Sequence, residues 1–155
     1  MNFGKHVLLF LSTGFYIGNI PFAPGTLGSL LGLPIWFVLS KFSPVITLVF
    51  LALFIPFAIW AAHVSSKQLN QKDPGCIVID ETAGMVVTLA GLPFHWISCL
   101  LGFVVFRVLD IFKPFPIRWI DQNISGGTGI VLDDVVAGII GNITLRILIQ
   151  LFVNI

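Results

Sequence analysis

Apolar runs alternate with short breaks along this chain. The runs extend roughly from Thr26 to Ser40, Val45 to Val64, Ile77 to Leu92, Phe94 to Phe112 and Ile130 to Phe152. The breaks, at Ser43-Pro44, Asp73-Pro74-Gly75, Leu92-Pro93, Lys113-Pro114-Phe115-Pro116 and Gly126-Gly127-Thr128-Gly129, all carry turn chemistry. Helix is the predicted state of every run, because an open sheet cannot satisfy its backbone in lipid. The first and third runs fall short of the roughly 20 residues of a full span, so tilting, local thinning or partial embedding is expected there. No linker separates independent units. The predicted fold is therefore all-α, a polytopic membrane helical bundle with short, tilted or re-entrant segments, with residues 1–155 forming a single membrane-embedded domain.

Composition sharpens that picture. With 57% hydrophobic and 10% charged residues, and a mean hydropathy of +1.03, the chain departs from an ordinary soluble domain. Its 155 residues leave little room for an additional soluble domain beside one bundle. A formal net charge of +1 offers no basic field for nucleic acid. Cys76 and Cys99 lack metal-motif spacing and are expected to be buried thiols. Lys5 and His6 precede a short apolar run, but a Gly/Pro-rich loop follows where a signal peptide needs a small-residue cleavage site, so the N-terminus is expected to be retained. The segment from Val7 to Ile17 either re-enters the bilayer or lies at its surface.

Five carboxylates interrupt the apolar runs: Asp80, Glu81, Asp110, Asp133 and Asp134. A charge at bilayer depth costs several kcal/mol, about 2.5–3.5 on insertion scales, unless it faces a cavity, a counter-ion or a metal, so the five together imply a shared site. A zigzag through the runs brings all five to one membrane face. That face also carries Lys67, Lys72, Lys113 and Arg118, which the positive-inside tendency makes cytoplasmic. Arg146 is expected to snorkel toward the opposite face and to take no part in catalysis.

Arg107, Asp110 and Lys113 follow one another at spacings of three and share one helix face. A carboxylate bracketed by cations suits joint metal and phosphate binding, and it equally suits a structural ion-pair cluster. The blocks Ile77-Val78-Ile79-Asp80-Glu81 and Ile130-Val131-Leu132-Asp133-Asp134 resemble each other, and each is followed by Ala-Gly, at Ala83-Gly84 and Ala137-Gly138. Small residues there permit close helix packing, so the two blocks can face one another; chance similarity in an Ile/Val-rich chain is the competing reading. Oxygen ligands without a matching Cys/His set favour a hard cation, Mg2+ before all. His6, His63 and His95 read as packing or interfacial residues. Pro24-Gly25-Thr26-Leu27-Gly28-Ser29 and the Gly126–Gly129 run have the form of anion-receiving turns, or of plain turns, and neither is a P-loop.

These stretches together resemble the phosphatidylglycerophosphatase A family. The resemblance rests on Ala23-Pro24-Gly25-Thr26-Leu27-Gly28-Ser29, on Ile79-Asp80-Glu81-Thr82-Ala83-Gly84-Met85, and on the run from Phe106 through Lys113-Pro114-Phe115-Pro116-Ile117-Arg118. It continues through Asp121, the Gly126–Gly129 run and Leu132-Asp133-Asp134-Val135-Val136-Ala137-Gly138. It implies a multi-pass phosphatase of the bacterial inner (cytoplasmic) membrane. Such an enzyme uses Mg2+ to convert phosphatidylglycerophosphate into phosphatidylglycerol and inorganic phosphate, with substrate entering laterally from membrane lipid. By the same resemblance Asp80, Glu81, Asp110, Lys113, Asp133 and Asp134 are the catalytic or metal-site candidates.

The corresponding mechanism has one or two Mg2+ ions held by a subset of Asp80, Asp110, Asp133 and Asp134, which polarise phosphate and acidify water. Glu81 acts as a base or orients that water. Lys113 neutralises phosphate charge, supported by Thr26, Ser29, Arg107 or Arg118. Direct water attack leads, and an aspartyl-phosphate intermediate is the variant. The rival function is a small cation-coupled membrane transporter, since intramembrane acids also line ion paths; a scaffold subunit is the third option.

Overall fold

A computed structural model describes residues 3–153. Seven α-helices follow one another: α1 (Phe3–Ser12), α2 (Pro24–Leu39), α3 (Pro44–Leu69), α4 (Ile79–Leu89), α5 (Trp96–Phe112), α6 (Ile117–Asn123) and α7 (Gly126–Leu148). A single 3-10 turn covers Ile17–Asn19, a π-helical turn extends α7 over Ile149–Val153, and the described residues contain no strand. The all-α expectation holds.

Local chemistry sets the boundaries. Pro24 and Pro44 open α2 and α3, where the missing proline N–H would have no partner in any case. α3 stops at Asn70 and α5 at Lys113, both left-handed, and Pro114 prevents α5 from resuming. The Gly126–Gly129 run, expected as a turn, instead forms the first turn of α7. The reason lies in packing: a Cβ at Gly127 would fall 2.1 Å from the Ile59 carbonyl oxygen and 2.6 Å from the His63 nitrogen. Glycine lets the two backbones touch, which pins the start of α7 against the C-terminal half of α3.

α4 is the central element. Ten of its eleven residues are buried, and α2, α3, α5 and α7 all pack on it. α4 and α7 meet through the small residues of their Ala-Gly pairs: a Cβ at Gly138 would sit 2.5 Å from the Gly84 carbonyl oxygen, and one at Gly84 would sit 2.8 Å from that of Asp134. Trp36, Met85, Leu89, Phe106 and Leu145 fill the core on the side of α2 and α5. The first turn of α4 is thereby laid against the turn of α7 that carries Asp133 and Asp134.

At the opposite end Arg146 and Asn142 close off α4. The Arg146 guanidinium donates to the Ala90 carbonyl at 3.0 Å and to Asn142 Oδ1 at 2.9 Å, while the Asn142 amide donates to Thr88 O at 2.8 Å and Ala90 O at 3.0 Å. These bonds satisfy carbonyls that a helix end leaves without partners.

α3, with 26 residues, is about 39 Å long at 1.5 Å per residue. Among the described residues it is the one helix long and apolar enough to cross a bilayer by length and composition, and α2 is a shorter apolar helix. α4 is only about 16 Å long by the same rise, because Ile77, Val78 and Ala90–Leu92 lie outside it. The apolar surface is broad: Leu48 and Leu53 on α3, Leu100 and Ile111 on α5, and Ile139 and Ile143 on α7 are all exposed.

Candidate active site

Three carboxylates converge where α4 meets α7. Asp80 and Glu81 come from the first turn of α4, Asp134 from the third turn of α7, and each offers an oxygen within 4.8 Å of the others. Asp110, in the last turn of α5, stands close enough to Asp134 for the two charges to interact and forms an ion pair with Arg107 one turn earlier. Arg107 Nη1 also approaches Ser29 Oγ, at 3.5 Å, and Ser29 in turn donates to the Gly25 carbonyl at 2.8 Å. The N-terminal turn of α2 thus closes the cluster on its third side.

Charge and hydrogen bonding are both incomplete in this cluster. Four carboxylates (80, 81, 110 and 134) face one guanidinium, leaving three negative charges uncompensated when all are ionised. Asp80 Oδ1, Glu81 Oε2 and Arg107 Nε are buried with no protein partner. Buried groups of this kind carry a heavy desolvation cost unless something completes them. An all-oxygen donor set with two unpartnered carboxylate oxygens fits a hard divalent cation such as Mg2+.

A second group lies one helical position away. Lys113 Nζ donates to Asp133 Oδ2 at 2.6 Å and to Asp121 Oδ1 at 2.8 Å. Asp133 Oδ1 accepts the Asp134 N–H at 3.0 Å. Burial alone would push the Lys113 ammonium down, but the hydrogen bonds and charges of Asp121 and Asp133 override that and hold it above the ordinary lysine range. Asp133 and Asp134 are neighbours in sequence, yet about 100° of helical rotation sends one to the lysine and the other to the carboxylate cluster.

The remaining sequence candidates are spread more widely. Ser29 is buried beside Arg107, and Thr26 is half-buried in the first turn of α2. Arg118 is exposed and donates to the Phe112 carbonyl at 3.3 Å, at the corner between α5 and α6. The Gly126–Gly129 run packs on α3 through Gly127, where the peptide N–H donates to His63 Nδ1 at 3.4 Å. It does not close the carboxylate cluster.

The sequence profile of the phosphatidylglycerophosphatase A family matches residues 10–149. The chain belongs to that family. It is 41% identical over 133 residues to phosphatidylglycerophosphatase A of Escherichia coli, covering 84% of this chain and 76% of the relative. It is 40% identical over 131 residues to the Haemophilus influenzae protein of the same name, covering 83% and 80%. A Bacteroides thetaiotaomicron protein carrying the provisional name phosphatidylinositol-3-phosphatase is 36% identical over 138 residues, covering 83% and 85%. No solved structure matches the chain. All the residues of both polar groups lie inside the segment that carries the family match.

Asp121 is the polar residue of the site that the sequence candidates omit. The sequence signal for it is slight: Lys113 follows an apolar helix and Asp121 is the next acid along the chain, but Arg118 stands closer to that acid.

Proposed function

We propose that this chain is a Mg2+-dependent lipid phosphatase that hydrolyses phosphatidylglycerophosphate to phosphatidylglycerol and inorganic phosphate. In this reading residues 1–155 form one multi-pass unit of the bacterial inner membrane, with the carboxylate site toward the cytoplasm. The family assignment supports the reaction. The observation that carries the mechanism is the Asp80–Glu81–Asp134 cluster with its two unpartnered buried oxygens. Multi-pass embedding draws support from the apolar outer faces of α3, α5 and α7, which water would penalise and lipid would not.

Asp80 and Asp134, the most buried of the acids in the cluster, would hold the cation, since Mg2+ is usually bound by one or two carboxylates together with substrate phosphate. A cation bound there supplies Lewis-acid polarisation of a phosphoryl oxygen and acidifies water. The half-buried Glu81, with one oxygen unpartnered, accepts the proton of the attacking water. Water oxygen bonds to phosphorus as the phosphorus–ester oxygen bond breaks, and the departing glycerol oxygen takes up the proton that Glu81 has accepted, which returns Glu81 to its carboxylate form. Arg107 and Lys113 oppose the negative charge of the phosphoryl group from either side of the cluster. Asp110 orients Arg107, and Asp133 with Asp121 fixes Lys113, so we assign Asp133 to the lysine rather than to the cation.

Transport is the weaker reading. All seven acids of the chain gather at the end of the bundle where α4 and α7 begin, or in the loop facing Asp121, whereas an ion path distributes polar groups across bilayer depth. The test is phosphate release from phosphatidylglycerophosphate by purified protein with Mg2+ or with excess chelator, with phosphatidylinositol 3-phosphate as comparator. Release that requires Mg2+ and favours the first lipid supports the proposal. Equal rates with chelator reject the metal mechanism, and no release from folded protein rejects the activity.

A further inference from the structure

The end of the bundle away from the carboxylates has a charge and a shape that the reaction does not use. α3 touches α7 through Gly127 but contains Pro56, and an internal proline removes a helix hydrogen bond and kinks the axis. N-terminal to that proline the two helices enclose an open trough of about 480 Å3. Its walls are apolar, with Leu51, Ile55, Val135 and Ile139 along the length and Asn142 and Arg146 at one end. From Val135 to Arg146 is eleven residues, about 16 Å of helix. A smaller cavity of about 200 Å3 adjoins the polar end, sharing Pro44, Thr47 and Gly91 with the trough, and is lined by Trp36, whose indole nitrogen is buried without an acceptor.

Arg146 has no carboxylate partner there. The guanidinium donates only to neutral oxygens, of Asn142 and Ala90, and all seven acids lie at the other end. An exposed cation above an apolar trough of acyl-chain length is complementary to an anionic amphiphile. We propose that the α3–α7 trough binds an anionic phospholipid, its phosphate against Arg146 and one acyl chain between α3 and α7, at a site separate from the carboxylate cluster. This inference rests on the bilayer placement proposed above and not on the phosphatase chemistry.

The test is tryptophan quenching in the full-length protein. Trp60, Trp96 and Trp119 are each more than half exposed, so Trp60→Phe, Trp96→Phe and Trp119→Phe together leave Trp36 as the reporter beside the polar end. The protein is placed in phosphatidylcholine vesicles containing either brominated phosphatidylserine, which is neither the proposed substrate nor its product, or brominated phosphatidylcholine. Trp36 is expected to prefer the serine lipid about fivefold, the effect of one basic residue at a membrane surface. Arg146→Gln should bring the ratio to near one, and Ile143→Phe, which fills the trough from an exposed position, should weaken quenching by both lipids. Parity in the parent protein, or an undiminished preference in folded Arg146→Gln, overturns the proposal. If loss of the α4 cap unfolds Arg146→Gln, quenching undiminished in Ile143→Phe overturns it alone. If Ile143→Phe instead raises KM for diacyl substrate without altering serine-lipid quenching, the trough holds the substrate's own tail and the proposal fails. Phosphate release measured on the same samples separates these outcomes from failure of the phosphatase reading.

Discussion

Substituting Gly25 by alanine perturbs the site while leaving every group that does chemistry chemically intact. A Cβ at this position would lie 2.4 Å from Glu81 Oε1 and 3.2 Å from Arg107 Nη1. Real Cβ contacts begin near 3.0 Å and become ordinary at 3.4 Å, so the Glu81 oxygen must retreat by 0.6 Å (3.0 − 2.4) to 1.0 Å (3.4 − 2.4). The obstructed atom is the far end of a flexible side chain, which turns away for roughly 0.5–1.5 kcal/mol of rotamer strain, and Ala favours a helix over Gly by up to about 1 kcal/mol. Global stability should therefore change by less than about 1 kcal/mol. Activity should not be spared, because displacing a catalytic group by about 1 Å costs on the order of 100-fold. The assay is Mg2+-dependent phosphate release with kcat and KM separated, run beside a thermal melt in detergent. Full turnover in Gly25→Ala would show that Glu81 does not need its present position and would remove it from the proposed chemistry. Gly127→Ala is the contrasting control: its Cβ meets backbone of α3 at 2.1 Å, which cannot turn aside, so the melt should fall by the roughly 1–3 kcal/mol of an overpacked contact.

The other predictions concern the charged groups. Asp80→Asn and Asp110→Asn should each lower turnover at least about 100-fold while membrane insertion, followed by fractionation, stays near that of the parent; full activity in folded Asp110→Asn would remove it from the site. Lys113→Met leaves Asp133 buried without its cation and should cost about 3 kcal/mol of stability by denaturant titration, with Lys113→Arg restoring most of it. The Lys113 ammonium is held above its ordinary value of 10.5, so its stabilising contribution is complete below that value and is lost only as pH rises through the higher folded one. The melting-temperature difference between parent and Lys113→Met should accordingly not narrow between about pH 7 and pH 10, and the Asp133 left without its cation can only widen it; a difference that shrinks across that range would refute the assignment.

Much of this site was legible from residue type alone. Acids inside apolar runs are costly enough to announce themselves, and the Ala-Gly pairs that follow two of the acidic blocks mark where α4 and α7 touch through Gly84 and Gly138. Which acid joins which group was not legible. It depends on helix rotation, and rotation is set by contacts remote in sequence, such as Gly127 against Ile59. The pairing of Lys113 with Asp121 was hidden for a similar reason: the chain turns back between α5 and α6, and the eight residues separating the two give no period that identifies them as neighbours. Segment lengths also misled where apolar character outlasts the helix, as at Ile77 and Val78, which are buried in the approach to α4 rather than in the helix.

α7 shows how these contacts act together. Its first turn is fixed on α3 through Gly127 and its middle on α4 through Gly138, eleven residues or about three turns later. Two backbone contacts on one helix leave no freedom to rotate, because either glycine would have to withdraw from a carbonyl it touches. Asp133 and Asp134 lie between those anchors. Their division of labour, one on Lys113 and one with Asp80 and Glu81, therefore follows from where two side chains are missing, and a larger residue at either glycine would disturb the acids without altering a single charge.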